Sequence, residues 1–137
     1  MSGVDLKNAF VEIGRAEVDK VINVKRTVLA DCGGDFSVVG AEVTSRMAPH
    51  VHFTGPEVYL VLEGTGLMHL GKAVRDGERI AVDWDAPFEV GAGDCFVIPQ
   101  STAHFIESTY GTPVKVCFIL DLEHLKGDRI LVDFPQG

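Results

Sequence analysis

Two histidines at i and i+2 and a glutamate a few residues later stand in "HVHFTGPE", as His50, His52 and Glu57. Imidazole and carboxylate are the side chains that ligate divalent ions and handle protons near neutral pH. The stretch that follows, "VYLVLEG", is apolar, β-branched and aromatic, which is the composition of a buried strand. Polar groups brought together in such an interior are costly without a partner. A divalent metal removes that cost, because it accepts the imidazole lone pairs and keeps the carboxylate ionised. A fourth ligand is then expected from another strand. His104, in "GDCFVIPQSTAHFIE", opens a strand after a bend at Pro99. His69 in "LMHL" has no other ligand-type residue beside it, and His124 in the acidic "DLEHLKGD" reads as exposed. Both are taken as structural or surface residues.

The elements that must position these groups are strands. Short runs rich in Val, Ile and Phe are punctuated by Gly and Pro, an all-β pattern. Strands are expected at residues 20–30, 36–44, 57–64, 66–71, 95–99, 103–109 and 114–122. A hairpin is expected where "KAV" and "RIAVDW" flank "RDGE", and "PFEV" precedes the turn "GAGD". Residues 5–13 are the one helical candidate, with Leu6, Phe10 and Ile13 on one side and Asp5 as N-cap. The tail "GDRILVDFPQG" reads as a late strand or an extended arm. Many short strands in a small domain imply a sandwich or barrel, where alternate residues face inward. His50 and His52 then share one face, and Glu57 and Tyr59 share a face on the next strand.

Composition narrows the function classes. The 137 residues suit one domain, with a barrel core over about 20–122 and an arm at each end. A net charge of −8, from 12 basic and 20 acidic residues, argues against nucleic acid and anionic membranes as partners. No apolar run is long enough for a membrane helix, and no signal peptide is evident, so the expected location is cytoplasmic. Cys32, Cys95 and Cys117 are odd in number and form no CxxC, so reduced thiols are expected.

The histidine spacing resembles the cupin superfamily, whose first motif is G(X)5HXH(X)3–4E(X)6G and whose second is G(X)5PXG(X)2H(X)3N. His50, His52, Glu57 and Gly64 match the first, and Gly93, Pro99 and His104 match the second. Thr44 replaces the leading glycine, Ser101 the inner glycine and Ser108 the final asparagine. The resemblance implies an all-β, cupin-type jelly-roll β-barrel covering nearly the whole chain. It implies one divalent metal (Fe, Mn, Zn, Ni or Cu) held by His50, His52, Glu57 and His104. It also implies a homodimer, through the strand at 20–30 or the tail. The segment 65–92 is longer than in the shortest cupins, and its hairpin is expected to cover the barrel mouth or serve a dimer contact.

What such a metal would do is less specified. Dioxygenation, isomerisation and lyase chemistry on a small polar metabolite all suit three histidines and a glutamate. A non-catalytic small-molecule-binding or sensor cupin is the alternative. Small cupin sulfoniopropionate lyases and cupin sugar isomerases resemble this layout, including the Glu-x-Tyr pair. Tyr59 is therefore the candidate acid/base, with a core aromatic as its plain alternative. Arg46 shares the alternation of His50 and is a candidate for a substrate carboxylate or phosphate. Gln100 lies in the bend before His104 and is a candidate at the mouth. Glu107 is expected to face outward, and Phe96, Phe105 and Phe118 to pack.

Overall fold

The computed structural model describes residues 4–121 and 127–136; His124 lies outside them. Among the described residues one helix, α1 (Ala9–Arg15), precedes twelve strands: β1 (Glu17–Asp19), β2 (Val24–Asp31), β3 (Ser37–Val43), β4 (His50–Val51), β5 (Glu57–Glu63), β6 (Thr65–Asp76), β7 (Arg79–Trp84), β8 (Phe88–Gly91), β9 (Cys95–Ile98), β10 (Thr102–Ser108), β11 (Val114–Leu120) and β12 (Ile130–Leu131). One sheet has the order β1-β2-β3-β11-β5-β9 and the other β12-β4-β10-β6-β7, with β8 also on β6. The pairings are antiparallel. No helix among the described residues is long and apolar enough to cross a membrane.

The period of two decides what lies between the sheets. On β5, Glu57, Tyr59 and Val61 are buried while Val58, Leu60 and Leu62 are half-buried. Val39, Ala41 and Val43 of β3 and Val116 and Phe118 of β11 meet Met68 of β6 and Ile106 of β10 in one cluster. Each Val, Ile, Met or Phe side chain among them contributes roughly 1.5–3 kcal/mol by leaving water. The other face of the second sheet is covered by the C-terminal arm. There Ile130 and Val132 pack on Val51, Ala73 and Ala103, and the Phe134 ring stands edge-on to Phe105 at 5.2 Å.

Several element boundaries differ from the sequence-based expectation. The strand expected at 20–30 begins at Val24, because residues 20–23 form a turn that ends on Asn23 at φ 59°. Asparagine tolerates this left-handed conformation, and its side-chain amide donates to the Arg46 carbonyl. That turn creates a hairpin with β1, which the residue pattern did not announce. The helix starts later than expected. Asn8, not Asp5, caps it by accepting from Val11 N–H, and Leu6 is left exposed. Ile13 alone is buried from α1. It lies where a Gly40 side chain would stand, its Cγ1 2.8 Å from the position of an added Cβ. "GLMHLG" and "KAV" form one long strand, β6, which turns at Gly77 into β7.

Candidate metal centre

His50 lies on β4 and His104 on β10, and the two residues face each other directly across the ladder. His52 follows β4, two residues on and so on the same side of the chain. Their ring centroids are 5.1 Å (His50–His52), 4.4 Å (His50–His104) and 5.4 Å (His52–His104) apart. One ligand nitrogen from each ring lies within 4.8 Å of the others, so the three can hold a metal ion. Glu57 arrives from the opposite sheet at the start of β5. Its carboxylate oxygens are 3.6 Å from His52 Nε2 and 3.3 Å from His104 Nε2. All four side chains are buried.

The hydrogen bonds on the far side of each ring settle which nitrogen faces inward. Nδ1 of His50 is 2.9 Å from the Ala48 carbonyl, Nδ1 of His104 is 3.0 Å from the Thr102 carbonyl, and Nδ1 of His52 is 2.5 Å from the Asp128 carbonyl. A carbonyl only accepts, so each Nδ1 must carry the proton. In the neutral ring Nε2 then carries the lone pair on the side of the cluster, the tautomer a metal requires. Nε2 of His104 is buried without a hydrogen-bond partner. The Glu57 oxygen 3.3 Å away meets it acceptor to acceptor, so neither can bond the other. An orphaned acceptor beside a buried carboxylate fits a cation between them.

The electrostatics agree with that assignment. Burial, reinforced by His104 and His52, holds the His50 imidazolium well below its ordinary value of 6.5. His50 is therefore neutral at pH 7. Burial, with the Glu57 charge adding to it, pushes the Tyr59 phenol well above 10, so it stays protonated. Asp128 is half-exposed. Burial raises its carboxyl, but bonds from the Thr54 hydroxyl and the Phe53 and Thr54 amides outweigh this and hold it below 3.8.

Tyr59 faces inward, as expected, and is fully buried. Its ring packs against Phe118 at 4.4 Å and Phe96 at 5.4 Å and stands edge-on to His104 at 6.0 Å. Its hydroxyl donates to Met47 Sδ, 3.7 Å away. Arg46 is exposed, and its guanidinium carbon sits 3.6 Å above the Phe134 ring. Gln100 is exposed in the turn between β9 and β10. The next residue, Ser101, donates its amide to the His52 carbonyl at 2.7 Å. Ser101 also keeps the left-handed φ of 62° that the motif's glycine would supply. The other two motif departures meet, since the Ser108 hydroxyl donates to the Thr44 carbonyl at 2.8 Å.

Two arrangements were not foreseen from the residues. His69 does have a carboxylate neighbour. Glu107 lies 3.3 Å from its Nε2, because His69 and Glu107 flank one another across the β6–β10 ladder. Both side chains are part-buried there, with His69 stacked on Phe105 at 4.1 Å. The second is Asp128, which holds His52 from 76 residues away. No local spacing signals such a pair. The β6–β7 hairpin reaches the loop after His52, with Arg75 4.6 Å above the Phe53 ring.

A family model for Cupin matches residues 10–131. The protein is a cupin. Over 74 residues the cupin is 39% identical to the uncharacterized protein MJ1618 of Methanocaldococcus jannaschii, a stretch that covers 54% of this chain and 49% of that protein. The match thus spans about half the length of this curated relative. In structure it is similar to an uncharacterized conserved protein with a double-stranded β-helix domain from Klebsiella pneumoniae subsp. pneumoniae. The TM-score is 0.68 at 15% identity, covering 96% of this chain and 99% of that one. It is also similar to hydroquinone 1,2-dioxygenase PnpCD in complex with Cd2+ and 4-hydroxybenzonitrile. There the TM-score is 0.67 at 12% identity, covering 88% and 78% of the two chains. At these identities the likeness is one of fold.

Proposed function

We propose that this cupin binds one divalent metal ion through His50, His52, His104 and Glu57 and acts on a small polar metabolite. The observation that carries the reading is the tying of three Nδ1 atoms to carbonyls, which leaves Nε2 as the ligand atom of each ring in one buried cluster beside a carboxylate. A bound metal supplies Lewis-acid polarisation of a substrate oxygen or, if redox-active, reaction with dioxygen. The chain supplies the rest. The histidines hold position with little freedom, so binding costs little reorganisation. Glu57 offsets positive charge and offers a carboxylate oxygen for a proton. Tyr59, protonated and committed to Met47, braces His104 rather than exchanging a proton. Gln100, exposed in the turn before β10, is the candidate for substrate contact, and Arg46 keeps its place over Phe134.

Elemental analysis of protein purified without a nickel resin tests the reading. Roughly one metal per chain is expected. No bound metal, together with no gain in thermal stability on adding one, would overturn it. A binding or sensor role is the second reading, favoured by the engagement of the Tyr59 hydroxyl with sulfur. Turnover of polar hydroxy- and keto-acids, screened under air and under nitrogen, separates the two. A homodimer is the expected assembly, to be read by sizing chromatography.

A further inference from the structure

The three histidines are not oriented in the same way. His50 and His104 each bond a carbonyl two residues back in their own stretch of chain. Any fold that keeps β4 and β10 keeps those rings in place. His52 lies past the end of β4, and its Nδ1 partner is the carbonyl of Asp128.

Asp128 does more than offer that carbonyl. One carboxylate oxygen accepts from the Phe53 amide at 2.9 Å. The other accepts from the Thr54 amide at 2.8 Å and from the Thr54 hydroxyl at 2.5 Å. Charge-assisted bonds of this kind are about twice as strong as neutral ones. The two residues after His52 are thereby clamped to the residue that orients its ring.

The surrounding segment is anchored on both sides. Ile130 and Leu131 pair with Val51 and His50, and Val132 N–H donates to the Pro49 carbonyl at 3.0 Å. Arg129 pairs with Asp19 of β1, which also binds Arg26 of β2. The strap 127–132 thus ties the ligand strand to the edge of the opposite sheet.

We propose that this C-terminal strap is a working part of the metal centre and that Asp128 is the positioning residue for His52. The inference rests on the metal reading above, but its structural half does not. Asp128 fixes the Nδ1–H tautomer and the direction of His52 whether or not an ion is bound. Because strap docking and metal binding share His52, each strengthens the other by the same factor.

Asp128→Ala and Asp128→Asn test this with Co2+ as the probe. Asp128→Ala keeps the carbonyl but removes the carboxylate clamp that holds it against His52, so calorimetric Co2+ affinity is expected to fall about 10-fold, and less in Asp128→Asn. In metal-free protein, 15N spectra of the imidazoles should change for His52 and stay constant for His50 and His104. A merely structural role would lower thermal stability without that selective change. Wild-type affinity together with an unchanged His52 tautomer in a folded Asp128→Ala protein overturns the proposal. If that variant does not fold, hydrogen exchange on the wild type decides. Co2+ must slow exchange of the Val132 and Thr54 amides, and no slowing overturns it. Should wild-type protein bind no Co2+, the metal reading fails, and the strap is judged on the His52 tautomer alone.

Discussion

A buried imidazole flanked by two others can take a proton or a metal but not both. His50 is held neutral chiefly by burial and then by His104 and His52. In the unfolded chain it titrates near its ordinary value, so below about pH 6.5 the unfolded state binds more protons. Stability therefore falls as pH drops, by about 1.4 kcal/mol per pH unit, until the depressed folded value is reached. Urea midpoints of metal-stripped protein between pH 8 and 5 should show this decline; a flat profile would contradict the burial of a neutral His50. His104→Ala should weaken metal binding by at least about 100-fold, since a whole ligand is removed rather than its support. His69→Ala should leave affinity within roughly twofold, because His69 is stacked on Phe105 and paired with Glu107 instead. The convergence of His50, His52, Glu57 and His104 was legible, since alternation and motif spacing are local properties. The His69–Glu107 pair was not, because it depends on strand register. Asp128 was not either, because nothing near it in the chain marks it.

At the scale of elements, turns and anchors carry the fragile points. Gly64 has φ 82°, and an added Cβ would collide with the Pro113 carbonyl oxygen. Gly64→Ala should cost roughly 2–4 kcal/mol from strain and displaced backbone, read by chemical denaturation. This glycine was visible in the sequence as the end of the first motif, though the reason for it, Pro113, was not. The Asp19 side chain is 8% exposed and bonded by Arg26 and Arg129. Burial raises its carboxyl, and the two guanidinium bonds outweigh that and lower it below 3.8. Its contribution is present above pH 3.8 and is lost as pH falls through the lowered folded value. Asp19→Asn should destabilise by roughly 1–3 kcal/mol at pH 7, discounted for the part-exposed Arg26. The difference from wild type should shrink toward pH 3; a difference that persists there would point to packing. Strand interiors were legible because β-branched runs are distinctive. β1 and β12 were missed or blurred, since two or three residues pair there through backbone alone, and backbone pairing leaves no mark on side-chain type.

For the whole molecule, an ion that binds only the folded state adds to its stability. At 100 times its dissociation constant the gain is about 2.7 kcal/mol, which for a chain of this length raises the midpoint by about 9 °C. A calorimetric scan before and after chelation, with the midpoint restored by one metal in preference to others, would measure this and narrow the ion's identity. A sandwich or barrel was readable from strand count and punctuation, and the two histidine motifs decided for the barrel by resemblance. The covering of the second sheet by the C-terminal arm was not, because the unbroken apolar run Ile130-Leu131-Val132 does not show which side chains turn inward, and Leu131 is the one left exposed.

The proposed ligands are unevenly spread along the chain, and for a metal-binding chain that has a kinetic consequence. His50, His52 and Glu57 fall within one short segment, whereas His104 comes from a strand formed much later in the sequence. Local chelation needs only a small loop to close, but the fourth ligand must await pairing of β10 with β4 and β6. An ion present during refolding can thus nucleate the β4–β5 corner before the barrel shuts, speeding the chain's arrival if the corner is native-like and stalling it if another imidazole is captured first.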